Sequence, residues 1–282
     1  MYSANTAIAS MSGLFQQNGP CKFELGAHNT KPVNNTLSWN NNVNMLYLDP
    51  PMGVGFSYGN TSTSTNATST NDDTSLYVWK FMQAFHASFP EYKSRHLGIF
   101  TQSYGSHFGA QLSKYIHAQN KAKAGEENKL VALGISNGWH DALIQEPSHA
   151  DFALSNSYQS LITEAQFQEH HQRFEIYCLP ELLRCNETNS NRHCALAHWG
   201  CLNDFETPLY STIKANLHHD INKYDIRKLY GEDEHHSKFL KYMRDEQVIR
   251  IIGANNSYTA NKLYTECSGE VFDRFESTGE GE

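Results

Sequence analysis

No stretch of this 282-residue chain is apolar for the length a membrane span needs, so no membrane contact is expected. Lysine and arginine number 22 against 30 aspartates and glutamates, and no basic block interrupts the acidic balance of −8. That excludes the cationic face of a nucleic-acid binder. No two cysteines stand in the C-x-x-C spacing of a zinc site, and no metal or cofactor is expected. Met1 to Ser12 has neither a charged leader nor an apolar core, so it does not read as a signal peptide. Internal repeats are lacking too.

Cysteine and asparagine are informative where they do occur. Cys178, Cys185, Cys194 and Cys201 are spaced seven, nine and seven apart. Two antiparallel arms joined by a turn would pair Cys185 with Cys194 inside Cys178 with Cys201. Cys21 and Cys267 are left to pair across almost the whole chain. Nested bridges imply an oxidising compartment. Sequons at Asn34, Asn60, Asn66, Asn186 and Asn255 agree with it. A secretory setting without a leader leaves three readings: a fragment, a truncated gene product, or a chain that stays inside the cell.

Apolar runs alternate with helical patterns over the first half. Val43 to Leu48 reads as a buried strand, and the Pro/Gly-rich run after it as a loop. Asn60 to Thr74 is a polar tract expected to be a glycosylated loop. Asp72 and Asp73 then cap a helix to about Phe89. Leu97 to Phe100 forms a strand, Gly109 to Asn120 a helix and Leu130 to Ser136 another strand, which favours a parallel sheet with flanking helices. From Pro147 the pattern turns polar, helical and cysteine-bearing. The expected division is an α/β core over 1–146, a helical cap over 147–222 and a return segment over 223–282.

The run Thr101-Gln102-Ser103-Tyr104-Gly105-Ser106-His107-Phe108-Gly109 places a lone serine between strand and helix. That order is a nucleophile elbow, in which a strained turn lifts the hydroxyl clear and the next backbone N–H serves an oxyanion. Taken alone, Thr101 in place of the usual first glycine weakens the match. Three further blocks accompany it: Asn18-Gly19-Pro20-Cys21; Ser38-Trp39-Asn40 with Leu46 to Tyr58; and Gly134-Ile135-Ser136-Asn137-Gly138. Together they resemble the serine carboxypeptidases of the α/β-hydrolase superfamily, and are similar to secreted fungal members. The nested cysteines resemble that family's cap bridges.

The resemblance implies an incomplete α/β-hydrolase fold with a disulfide-bonded helical cap. It implies hydrolysis of the last peptide bond of a peptide or protein, with Ser103 as nucleophile and the Tyr104 N–H as oxyanion donor. Gln102, Gln17, Asn18 and Gly19 would bind the substrate's free carboxylate. It also implies a secreted or vacuolar parent.

Three departures accompany the likeness. The family's G-G-P-G loop is replaced by Ser3 to Ser10, which has no glycine. No strand with a trailing aspartate or histidine follows the cap, so no catalytic Asp or His is found and the chain is expected to be truncated at both ends. The pairs His170-His171, His218-His219 and His235-His236 read as solvated, and His107 as structural. Finally, Gln17 and Gln102 stand where the family has two glutamates sharing a proton, and two amides can bond without one. The isolated chain is therefore expected to be inactive. A non-catalytic carboxypeptidase-like binding protein and an acyltransferase on the same fold are the competing readings.

Overall fold

The computed structural model describes residues 10–24, 31–58, 70–230, 234–254, 264–266 and 268–278. The chain divides into two compact units, Met1–Trp139 with Glu234–Arg274, and His140–Asp233 with Phe275–Glu282.

The first unit is built on two parallel strands, β3 (His96–Gln102) and β4 (Lys129–Ser136), paired from His96 opposite Lys129 to Gln102 opposite Ser136 with a register shift between Leu97 and Gly98. Helix α2 (Gly105–Ala122) connects them. It starts four residues before its apolar pattern does, because the small Gly105 and Ser106 allow it to begin right at the turn. Helix α1 (Asn71–Ser88) packs beside α2 and buries Val78, Trp79, Met82 and His86. Its N-cap is Thr70, whose hydroxyl accepts from the Asp73 N–H at 3.1 Å. Asp72 and Asp73, expected as the caps, lie in the first turn, where the helix dipole favours negative charge.

Before α1 come the short antiparallel pair β1 (Cys21–Lys22) and β2 (Val33–Asn34). The strand expected over Val43–Leu48 is not formed. That run is irregular, since its backbone finds no ladder partner among the described residues. An aromatic cluster of Phe15, Phe23, Phe239 and Tyr264 with Met243 joins the start of the unit to α8 (Glu234–Met243). Asp245 then caps α9 (Glu246–Ile251). The last helix is α10 (Gly269–Thr278).

The second unit is helical: α3 (Ala142–Leu154), α4 (Glu164–Arg173), α5 (Leu179–Thr188), α6 (Asn191–Gly200) and α7 (Thr207–Leu217), followed by the hairpin β5 (Ile221–Asn222) and β6 (Asp225–Leu229). Pro147 lies inside α3. Helices α5 and α6 are the antiparallel arms, turned by Asn189 at φ 47°, and Cys185–Cys194 links them inside Cys178–Cys201. The outer bridge joins two π-helical segments, Phe174–Cys178 and Cys201–Glu206, within a core of Phe174, Phe205, Leu209 and Ile213. Cys21, by contrast, carries a free thiol, and its expected partner Cys267 lies outside the described residues.

Not all the paired histidines are solvated. His170 is 1% exposed, and its Nε2 lies 2.9 Å from the Thr212 hydroxyl, so burial holds its pKa below the ordinary value. Its neighbour His171 faces outward, as adjacent helical positions do. The side chains of His235 and His236 lie outside what the structure describes.

A titratable cluster crosses this unit. The Lys223 ammonium sits 4.0 Å over the Tyr210 ring. Burial and the nearby Glu206 and Glu146 push the Tyr210 phenol up to about 12. Burial also raises Glu206, against the opposing pull of Lys223 and His198. A carboxyl raised in the folded state contributes stability that is complete below its unfolded pKa and is lost as pH rises through its folded one. Glu206→Gln should therefore raise the thermal midpoint at pH 7 and leave it unchanged near pH 4, read by circular dichroism. A lower midpoint at pH 7 would mean that the Lys223 and His198 attractions outweigh burial.

Candidate active site

Ser103 follows the last residue of β3 and precedes the N-cap of α2, Tyr104. Its φ is +56°, the left-handed region that a side chain rarely enters. Holding it there costs about 1–3 kcal/mol, which the surroundings must offset. The Ser103 N–H donates to the Ser136 carbonyl at 3.1 Å, fastening the elbow to the end of β4. Its own carbonyl accepts from Ser106 N–H at 2.9 Å and from Trp139 N–H at 3.4 Å. The buried Ser106 hydroxyl donates to the Trp139 carbonyl. Among the described residues the Ser103 hydroxyl has no hydrogen-bond partner.

Thr101 explains how the turn tolerates a side chain where the elbow pattern has glycine. It is 1% exposed and packs under α2 at Gly109. A β-carbon on Gly109 would fall 2.9 Å from the Thr101 methyl and 3.1 Å from Leu133. Glycine at 109 thus makes the room that threonine at 101 occupies.

Gln17 is brought to the elbow from the other end of the motif set. It closes a π-helical turn over Gly13–Gln17, and Asn18 N–H donates back to the Gly13 carbonyl at 3.2 Å. Its side-chain amide donates to the Gln102 side-chain oxygen at 2.5 Å, beside Ser103. Next to it, Gly19 approaches Leu14 so closely that a β-carbon would stand 1.9 Å from the Leu14 carbonyl oxygen.

Asn18 and Gly19 are buried, and the other motif blocks hold them. The Ser38 hydroxyl and the Trp39 N–H both donate to the Asn18 carbonyl at 3.0 Å. The Tyr47 hydroxyl donates to the Asn18 side-chain oxygen at 3.0 Å, and the Asn35 amide to the Gly19 carbonyl at 2.9 Å. Asp49 is buried and accepts from the N–H groups of Ser10 and Phe56 at 2.8 and 2.9 Å. Burial raises its pKa in spite of those donors. Asn35, Tyr47 and Asp49 were not singled out from the sequence. Tyr47 and Asp49 stand inside the quoted Leu46–Tyr58 block, but a single sequence does not say which of its residues turn inward.

His107 stacks its ring on Tyr104 at a centroid distance of 4.8 Å. Its place on the first turn of α2 gives it a packing role. The Cys178–Cys201 and Cys185–Cys194 bridges lie in the second unit, as do Asn186 and its sequon on the exposed side of α5. Asn34 is exposed in β2, and Asn60, Asn66 and Asn255 lie outside the described residues.

A strained serine between strand and helix, with the N-G-P block fastened beside it, matches a known family model. That model, described as serine carboxypeptidase, matches residues 8–280. The chain belongs to the serine carboxypeptidase family. It is 38% identical over 284 residues to Carboxypeptidase S1 of Penicillium janthinellum, covering 99% of this chain and 63% of that protein. A vacuolar serine-type carboxypeptidase of Saccharomyces cerevisiae is 28% identical over 97% of this chain and 51% of its own. The crystal structure of Kex1(delta)p, a prohormone-processing carboxypeptidase from Saccharomyces cerevisiae, aligns with a TM-score of 0.76 at 21% identity. It covers 96% of this chain and 58% of that one, and places the chain in the α/β-hydrolase fold. The chain thus spans less than two thirds of the length of these family members.

The Thr101–Gly109 contact makes a prediction about this elbow. Gly109→Ala should cost about 1–3 kcal/mol in urea denaturation, because the added methyl overpacks the strand–helix contact. Adding Thr101→Ala should recover most of that loss, a coupling that a double-mutant cycle measures.

Proposed function

We propose that Ser103 is the nucleophile of a serine-type carboxypeptidase reaction. The observation that carries the reading is its left-handed backbone at the strand-to-helix turn. In that role its Oγ attacks the last peptide carbonyl of a substrate chain while a base takes its proton. The Tyr104 N–H, at the start of α2, faces the developing oxyanion. The C-terminal amino acid leaves with a proton on its nitrogen, and water then cleaves the acyl ester.

In the same reading Gln102, Gln17, Asn18 and Gly19 receive the substrate's terminal carboxylate. The amide pair is held without a shared proton, so this contact needs no acidic pH. A peptide or protein C-terminus is the substrate class. The competing reading as a binding protein draws on one observation, the unpartnered Ser103 hydroxyl. A serine without its base is a weak nucleophile at neutral pH.

The test uses the purified 282-residue chain and a chimera that adds the G-G-P-G loop and the catalytic Asp and His that the family resemblance implies. The chain alone should not hydrolyse N-blocked dipeptides and should label weakly with a fluorophosphonate probe. The chimera should do both, and Ser103→Ala should abolish both. Steady hydrolysis by the chain alone, lost in Ser103→Ala, would show that it supplies its own base. A chimera labelled elsewhere than Ser103 would overturn the nucleophile assignment.

A secreted or vacuolar setting is part of the proposal. It is supported by the two bridges of the second unit and by the exposed Asn34 and Asn186. Expression behind a secretory leader should give a chain whose mobility shifts on glycosidase treatment. No shift would count against it.

A further inference from the structure

The two bridges of the second unit sit in opposite surroundings. Cys178 and Cys201 are 0% and 1% exposed, within its core. A carboxylate oxygen of the buried Glu146, on α3, lies within 4.8 Å of both of their sulfurs. A negative group there opposes an approaching thiolate and a departing one alike. Burial also keeps the outer bridge from any thiol in solution.

Cys185 and Cys194 differ on each count. They join the arms across the turn at Asn189, nine residues apart in sequence. Cys185 is half-buried, whereas Cys194 is 7% exposed, so an external thiol meets Cys185 first. Cys185 lies in the last turn of α5, and its carbonyl accepts from the Asn189 N–H at 2.8 Å. The negative end of the helix dipole disfavours a thiolate there. Cys194 lies in the first turn of α6, whose cap Ser190 accepts from the His193 N–H at 3.4 Å. Helical side chains lean toward the N-terminus, which sets the Cys194 sulfur over the positive end. A helix N-terminus lowers a thiol's pKa, and the thiol of lower pKa leaves a disulfide faster. Access and leaving-group strength thus point the same way across one bond.

The arms have a second tie besides that bond. His193 Nδ1 on α6 lies 3.6 Å from a carboxylate oxygen of Glu181 on α5, and Arg184 meets the same carboxylate at 2.8 Å. With the outer bridge closed as well, the two sulfurs would stay near each other once parted.

We propose that Cys185–Cys194 is a thiol-exchange site for a low-molecular-weight thiol of the glutathione class, while Cys178–Cys201 is the structural bridge. The incoming thiolate bonds to Cys185 Sγ as the Cys185–Cys194 bond breaks. The electron pair goes to Cys194 Sγ, which takes up the proton that the incoming thiol lost. One disulfide replaces another, so no oxidant or reductant is consumed. The product carries the small thiol on Cys185 and a free thiol at Cys194, and the turn between α5 and α6 is loosened. Attack by Cys194 on the mixed disulfide restores the bridge. This site is independent of the reading of Ser103.

The probe is reduced glutathione, added in excess to the purified full chain at mildly alkaline pH. Samples are quenched with iodoacetamide and mapped by mass spectrometry without reduction. The expected product has glutathione on Cys185, an alkylated Cys194 and an intact Cys178–Cys201. The inner bridge should open at least about tenfold faster than the outer one, the joint weight of access and leaving-group pKa. Far-ultraviolet circular dichroism should not change while the adduct forms. A chain with Cys185→Ser and Cys194→Ser should keep the same spectrum and take up no glutathione at Cys178 or Cys201. An adduct on Cys194, an outer bridge that opens first or together with the inner one, or no adduct would overturn the proposal. So would glutathione on Cys178 or Cys201 of the double variant, or loss of its spectrum, since the inner bridge would then be the structural one.

Discussion

The left-handed turn at Ser103 is the constraint on which the first unit is organised. A side chain at φ +56° is held only if its neighbours leave the backbone no better choice. Here the ends of both parallel strands and the start of α2 meet at that residue. Ser136 takes its N–H, Ser106 and Trp139 take its carbonyl, and Thr101 packs under the helix that follows. Loosening any of these would let the backbone relax and withdraw the hydroxyl. The strain therefore describes the whole strand–helix–strand unit, although it is stored at one residue.

The same turn fixes Gln102, and through it the opposite wall. Gln102 stands one residue before the elbow and receives the amide of Gln17, 85 residues earlier in the chain. Gln17 is in turn held by a π-helical turn whose exit requires glycine at 19, and by Ser38, Trp39, Tyr47 and Asn35 around Asn18 and Gly19. The motif blocks that identify the family are thus mostly scaffolding for this wall. The side chains of Ser38, Asn35 and Tyr47 hold Asn18 and Gly19 in place. The two amides make this contact without a shared proton.

The second unit draws its stability from different sources. Two nested bridges and a core of aliphatic and aromatic residues hold helices that also expose apolar side chains such as Ile144, Phe152, Leu183 and Trp199. Its buried ionisable groups do not converge on a nucleophile. They instead make the unit's stability respond to pH through Glu206 and Tyr210, whose ordinary pKa values burial displaces.

Local chemistry was legible in the sequence. The elbow, the N-G-P turn, the nested cysteine spacing and the helices of the cap are written in short-range patterns of glycine, proline, cysteine and apolar period, which need no partner to be recognised. The resemblance to the serine carboxypeptidases rested on such patterns, and the family and fold agree with it. What required tertiary structure was pairing. Val43–Leu48 has the composition of a strand but no ladder to join among the described residues, and a strand exists only with a neighbour. His170 sits in a polar pair, yet helical geometry turns it inward to Thr212. Thr101 departs from the elbow pattern, and only the helix passing over it reveals that Gly109 makes its room. Sequence determined which residues could act locally; register and packing decided which of them meet, since both depend on contacts between segments far apart along the chain.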